Sequence, residues 1–266
     1  MITYNVETIS PIEAHQMLKG NFHNRKLIRA HIERLSEIML RGEWRLNGES
    51  IKLNGNMLLD GQHRLEGCVL ANKSFKTLVI RGLRDDVQGT IDNGKIRTVA
   101  HHFQMTGELY STLMANAVNK VIGYYSTERN VAKPKYVSNV QAEKFLLENP
   151  ALREIVHHHG ASGQTILGRG IAAACHFIFD SIDSDAANQF INALTKGEGL
   201  DAGSPILALR GKFIKDLSTE RKLSTTAKFG LTIKTWNYWR DGKTIKPSAL
   251  RYVSQGETAE KFPVAH

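Results

Sequence analysis

The spacing of apolar residues changes once along this chain, and that change limits the folds open to it. Up to about residue 105 helical and extended patterns alternate; from Leu109 onward strand signals nearly vanish. "YSTLMANAVNKVIGYYS", "SNVQAEKFLLENPALREIVHHHG", "GRGIAAACHFIFDSI", "SDAANQFINALTKG", "SPILALRGKFIKDL" and "STTAKFGLTIKTWNYWRDG" all carry apolar residues at helical spacing, with caps and glycine stops. The pattern predicts an α+β chain: a small α/β unit over residues 1–105, then an all-helical unit over residues 106–266. A hydrophobic fraction of 41% is enough to build cores for both. No run approaches the roughly 18 apolar residues of a membrane helix, so no membrane partner is expected. "MITYNVETIS" lacks the basic head and apolar run of a secretory signal. Cys68 and Cys175 both sit among apolar residues without a CxxC partner, which predicts a reducing, cytoplasmic home.

In the first unit, Ser10, Pro11 and Glu13 make a capping box for a helix over "SPIEAHQML". Asn24 is the expected cap of the next helix, whose apolar residues Ile28, Ile32, Leu35, Ile38 and Met39 repeat at helical spacing up to Gly42. "ESIKL" and "NMLLD", separated by "NGN", predict a hairpin. A helix over "QHRLEGCVLAN" and a strand over "FKTLVIRGL" follow. "DDVQGTIDNGKIRTVAHHFQ" predicts a turn or short helix, a loop at Asp92-Asn93-Gly94 and a helix from Thr98.

The strand-to-helix junction, "MLLDGQHRLEG", concentrates polar chemistry. Gly61 lies at the turn, where the missing Cβ lets backbone approach a ligand. The first N–H groups of the helix that follows have no intrahelical partner, and the helix dipole adds positive charge there. Arg64 falls in the first turn and offers a fork of donors to phosphate or carboxylate. Together these residues describe an anion pocket. Asp60 can accept from a hydroxyl, an amine or a metal-bound water, and Gln62 and His63 add polar contacts. Plainer roles stand beside these: Asp60 as a helix cap, Arg64 paired with Asp60 or Glu66, His63 as a satisfied polar histidine.

The formal charge of +9 is uneven. Residues 206–252 hold 11 Lys/Arg against 3 Asp/Glu, a net of +8. Such a stretch can neutralise phosphates, or can merely solubilise a helical surface. Within it, Phe229, Ile233 and Trp236 form one helix stripe, expected in the core. That leaves Lys228, Lys234, Arg240, Lys243 and Lys246 as the exposed side, a candidate nucleic-acid contact, with Tyr238 or Trp239 available to stack on bases. "HHH" at residues 157–159 points three ways on a helix and cannot jointly face one ion there; a composite site with His101 and His102 stays open, but no Cys, Asp or Glu frames any of them at zinc spacing, so no metal is expected. "GQTILGRGIAAAC" lacks the Lys-Ser/Thr of a P-loop and predicts a tightly packed small-residue helix.

"LLDGQHRLEG" resembles the DGQHR variant of the Gly-x-x-Arg motif of the ParB/sulfiredoxin-like superfamily. The longer stretch from Arg41 to Thr98 is similar to ParB-like proteins of bacteriophages and prophages. The resemblance implies a small mixed-sheet nucleotide-binding domain over residues 1–105, in the cytoplasm of a bacterial host. It implies that Gly61, Gln62 and Arg64 hold nucleoside triphosphate phosphates, with Arg25 and the Asn93-to-Arg97 element adding contacts from either side. The Asn93-to-Arg97 spacing is one residue longer than in ParB. The expected cofactor is cytidine or adenosine triphosphate with Mg2+, and the expected partners are DNA and, as an option, a second copy of the chain. Turnover by an NTPase, with Asp60 or His63 positioning water, stays open, as do a ParB-like nuclease, another phosphoryl-transfer enzyme and a nucleotide-independent DNA-binding module. Sulfinic acid reduction is not expected, because Gln62 stands where sulfiredoxin has its cysteine. No tight helix-turn-helix of the partition type is evident either.

Overall fold

The computed structural model describes residues 1–22, 24, 26–84, 87, 98–126, 129, 131, 137–162, 166–220, 222–254, 256 and 258–266. The chain is mixed α+β and divides into two compact units, Met1–Ile96 and Arg97–His266. The helix Val99–Met105, read from the sequence as the end of the first unit, goes with the second. Among the described residues no helix is long and apolar enough to cross a membrane.

Among its described residues the first unit holds a four-stranded sheet and three α-helices, α1 (Pro11–Leu18), α2 (Arg29–Leu40) and α3 (Gln62–Ala71). Its strands are β1 (Thr3–Ile9), β2 (Ser50–Asn54), β3 (Met57–Asp60) and β4 (Phe75–Arg81), in the order β1-β4-β2-β3. β1 and β4 are antiparallel, with Tyr4 opposite Ile80; β4 and β2 are parallel; β2 and β3 form the expected hairpin, with Lys52 opposite Asp60. The capping box of Ser10 and Glu13 forms as predicted. Ile9, Ile51, Leu53, Leu58, Leu65, Cys68, Phe75 and Val79 make the core. Gly67 lets α3 approach α2 closely, since a Cβ there would lie 2.9 Å from Leu35 Cβ.

Two expectations need correction. No strand was expected at the N-terminus, yet Thr3–Ile9 is one. It is an edge strand with Tyr4 and Val6 exposed, so the usual in/out alternation of burial is absent. The cap expected at Asn24 is not made. α2 begins at Arg29 behind Ile28, with no side-chain cap, while Asn24 Nδ2 donates to Leu58 O at 2.6 Å and to Asn21 Oδ1 at 2.7 Å. The asparagine is used to fasten the loop to β3 instead.

The second unit consists, among its described residues, of helices and loops. α4 (Val99–Met105) is capped by Thr98, and α5 (Ser111–Tyr125) follows. The stretch 138–161 forms two helices, α6 (Asn139–Glu148) and α7 (Ala151–Ala161). Pro150 divides them: it lacks an N–H and pushes Asn149 out of the helical region (φ −130°, ψ 64°). α8 (Arg169–Asp180), α9 (Ser184–Lys196), α10 (Pro205–Ser218) and α11 (Thr225–Arg240) complete the unit. α8 is buried from Ile171 to Phe179, the packed small-residue helix the sequence predicts. Phe179 stacks on Trp236 of α11, rings 4.3 Å apart and 3° from parallel. The C-terminal tail runs against α11: Trp236 Nε1 donates to His266 O, Asn237 Nδ2 to Val264 O, and Phe262 packs near Tyr124 and Phe229.

Candidate functional site

The β3–α3 turn carries five consecutive polar or glycine residues, and each is held by a neighbouring segment. Gly61 is the N-cap of α3 with φ 106° and ψ 6°, a left-handed backbone that favours glycine. The sequence reading left its Cβ position open to a ligand. A Cβ there would lie 2.3 Å from Ile51 Cδ1, so the glycine serves the packing of the turn onto β2. Asp60 does not cap the helix; its carboxylate accepts from Lys52 Nζ at 2.6 Å and from Arg64 Nη2 at 3.2 Å. Gln62 is buried and its Oε1 accepts from Asn21 Nδ2 at 2.9 Å. His63 is buried, Nε2 accepts the Ile28 N–H at 3.0 Å, and its ring meets His31 edge to face. That bond fixes the proton of a neutral ring on Nδ1 and ties α3 to the entry of α2.

Arg64 is the centre of charge. Its side chain is 14% exposed. Nη2 donates to Ser50 O at 2.7 Å as well as to Asp60, and Nη1 to Glu49 Oε2 at 2.8 Å. Its Nε is buried with no hydrogen-bond partner among the described residues. The alternative pairing with Asp60 is therefore made; among the ion pairs described, Arg64 has none with Glu66. Asn21, Glu49 and Lys52 also build the site, and sequence reasoning did not name them. Lys52 was not legible from the "NGN" turn alone: the turn pairs Leu53 with Leu58, which would set Lys52 opposite Leu59, and a register shift between Lys52 and Leu53 sets it opposite Asp60 instead. Asn21 and Glu49 lie 41 and 15 positions from their partners, and no local pattern marks them. Arg25, Asn93 and Arg97 lie outside the described residues.

Cys68 is buried in the core, as expected, and burial pushes its thiol up to about 11. It is inert packing rather than a reactive group.

In the helical unit the exposed cationic side expected around α11 is present in part: Arg240, Lys243 and Lys246 are exposed, while Lys228 and Lys234 are half-buried. Ala227, Phe229, Gly230, Leu231, Thr232, Ile233, Thr235 and Trp236 are all buried, so apolar contacts surround the helix rather than one stripe of it. Lys228 is 20% exposed and pairs with the buried Asp216 at 2.8 Å. Burial raises the Asp216 carboxyl, but the paired Lys228 ammonium and the hydrogen bond from the Leu223 N–H outweigh it and hold the group below the usual range. Lys234 pairs with Glu260, Arg240 with Asp183 and Lys243 with Asp241. Arg240 lies over the Trp236 ring, 5.4 Å from its centre. Lys246 is exposed. Trp239 and Tyr238 are partly buried against the core, Trp239 packing on Phe190 and Trp236.

The "HHH" stretch lies on α7. His159 is buried with Nε2 3.2 Å from Nδ1 of His176 on α8, and burial lowers it to about 4. His102 pairs with Glu143, and His101 is used in the Thr98 capping box. Among the described residues no group of three His, Cys, Asp or Glu side chains could hold a metal ion. No family model, curated protein or solved structure matches the chain.

Proposed function

We propose that this is a ParB-like nucleotide-binding protein of phage or prophage type that works on or near DNA in its bacterial host. In this reading nucleoside triphosphate phosphates, with Mg2+, lie at the Asp60–Arg64 turn. The observation that carries it is the Arg64 guanidinium. It stands in the first turn of α3, behind a left-handed glycine, anchored by Ser50 O and Asp60 and reaching solvent at one edge. A fixed, part-buried guanidinium suits a phosphate, since little side-chain entropy is left to lose. The mixed sheet, with a hairpin feeding α3 and then a strand parallel to β2, supports the ParB-like reading of the first unit.

The reading is one of binding. His63 Nε2 already accepts the Ile28 N–H and Asp60 is bridged by Lys52 and Arg64, so neither is drawn on as a base. DNA contact in the helical unit falls to Lys246 and to whichever of Lys228, Lys234, Arg240 and Lys243 can exchange an internal carboxylate for a phosphate.

Calorimetric titration with each of the four ribonucleoside triphosphates and magnesium tests the reading. Saturable binding of one of them, lost in Arg64→Ala protein that still melts cooperatively, is the expected result. Folded wild-type protein that binds none of the four overturns it.

A further inference from the structure

We infer that Glu49 is a built-in competitor for the anion at Arg64, and that the site accepts clustered negative charge, a polyphosphate, rather than a single carboxylate. This inference rests on the phosphate-site reading above.

The two terminal nitrogens of Arg64 face different surroundings. Nη2 is anchored to the protein by Ser50 O at 2.7 Å and Asp60 Oδ2 at 3.2 Å. Nη1 donates to Glu49 Oε2 at 2.8 Å. Glu49 immediately precedes β2 and its side chain is 62% exposed, so it reaches the guanidinium from the solvent side. Its carboxylate therefore holds the position that an incoming phosphate oxygen would take. Lys52 and Arg64 balance Asp60 and Glu49, leaving the cluster without net charge. A singly charged carboxylate that displaced Glu49 would replace like with like and gain little. A triphosphate brings several charges to Arg64 and Lys52 at once, while the released Glu49 regains water at small cost. The exposed pair thus sets a threshold on ligand charge without blocking the site.

The test is calorimetric titration of wild type, Glu49→Gln, Glu66→Gln and Arg64→Lys with inorganic tripolyphosphate and the four ribonucleoside triphosphates. Glu66→Gln removes the same charge two residues from Arg64, at a side chain with no described ion pair to it. Glu49→Gln is expected to tighten tripolyphosphate binding about fivefold, the size of one exposed ion pair, and Glu66→Gln to change it less than about twofold. Equal tightening in both variants overturns the inference in favour of general charge. Binding that is lost in Arg64→Lys but unchanged in Glu49→Gln overturns the role of Glu49 and leaves the phosphate site standing. No binding of any probe by any folded variant overturns both.

Discussion

Gly61 is bound to its place by two independent constraints. Its φ of 106° is strained for any residue with a Cβ, and Ile51 Cδ1 fills the space that Cβ would need. Gly61→Ala is therefore expected to destabilise the first unit by about 2–4 kcal/mol, adding left-handed strain to overpacking. Urea unfolding followed by Trp44 fluorescence measures this, because Trp44 packs edge to face on Phe75 in that unit's core. A loss under about 0.5 kcal/mol would mean that the turn relaxes freely and that the glycine is not fixed by packing. The same scale separates what the sequence disclosed from what it hid. A strand, a turn and a helix were legible around Asp60–Arg64, because a glycine and a change of period are local signals. The destinations of the side chains were not. Gln62 reaches Asn21 and His63 reaches the Ile28 backbone, contacts that exist only once Asn21 and Ile28 have been brought to α3 by the tertiary fold.

Among the elements, α11 was legible as a helix and misread as to its surroundings. Phe229, Ile233 and Trp236 mark one apolar stripe with Thr232 at its edge, but Leu231 and Thr235 on other faces are also buried; each threonine bonds the carbonyl four residues back. Threonines and a part-buried lysine look like surface in a sequence and here are covered by the unit's other segments. β1 fails the other way: Ile2, Tyr4 and Val6 alternate with polar residues at strand spacing, yet at the sheet edge these apolar side chains are exposed and mark no buried face. The joint between α10 and α11 follows from this packing. Asp216, almost fully buried, takes Lys228 Nζ and the Leu223 N–H. Removing the lysine leaves a buried carboxylate with one partner fewer. Lys228→Ala is expected to cost about 3 kcal/mol and Lys246→Ala, at an exposed position, under about 0.5 kcal/mol, both read by thermal melting. Equal, small losses would mean that Lys228 is a surface cation after all. The contrast also governs any DNA-binding measurement: a Lys228 variant must be shown folded before lost affinity is assigned to a phosphate contact.

On the scale of the whole molecule, two separate cores allow pH to act on one without acting equally on the other. The helical unit buries His159 against His176 at the α7–α8 contact. Burial is the largest cause lowering both, and His176 and His158 add repulsion at His159; Asp180 and Asn188, beside His176, oppose the effect there. His159 is held neutral down to about 4, whereas in the unfolded chain it takes a proton near 6.5. The unfolded state therefore binds more protons between those values, and the stabilisation is fully present above about pH 6.5. It is lost as pH falls from about 6.5 towards 4, reaching about 3 kcal/mol from His159. Replacing His159 with leucine removes the titrating group while keeping an apolar side chain in the site. Calorimetric scans at pH 7.5, 6, 5 and 4 should show the wild-type helical transition falling more steeply than that of His159→Leu. Acid losses shared by both proteins come from other groups and cancel in the difference. Parallel pH profiles for the two proteins would show that His159 is protonated in the folded chain as readily as in water, and that the α7–α8 contact opens to admit the charge.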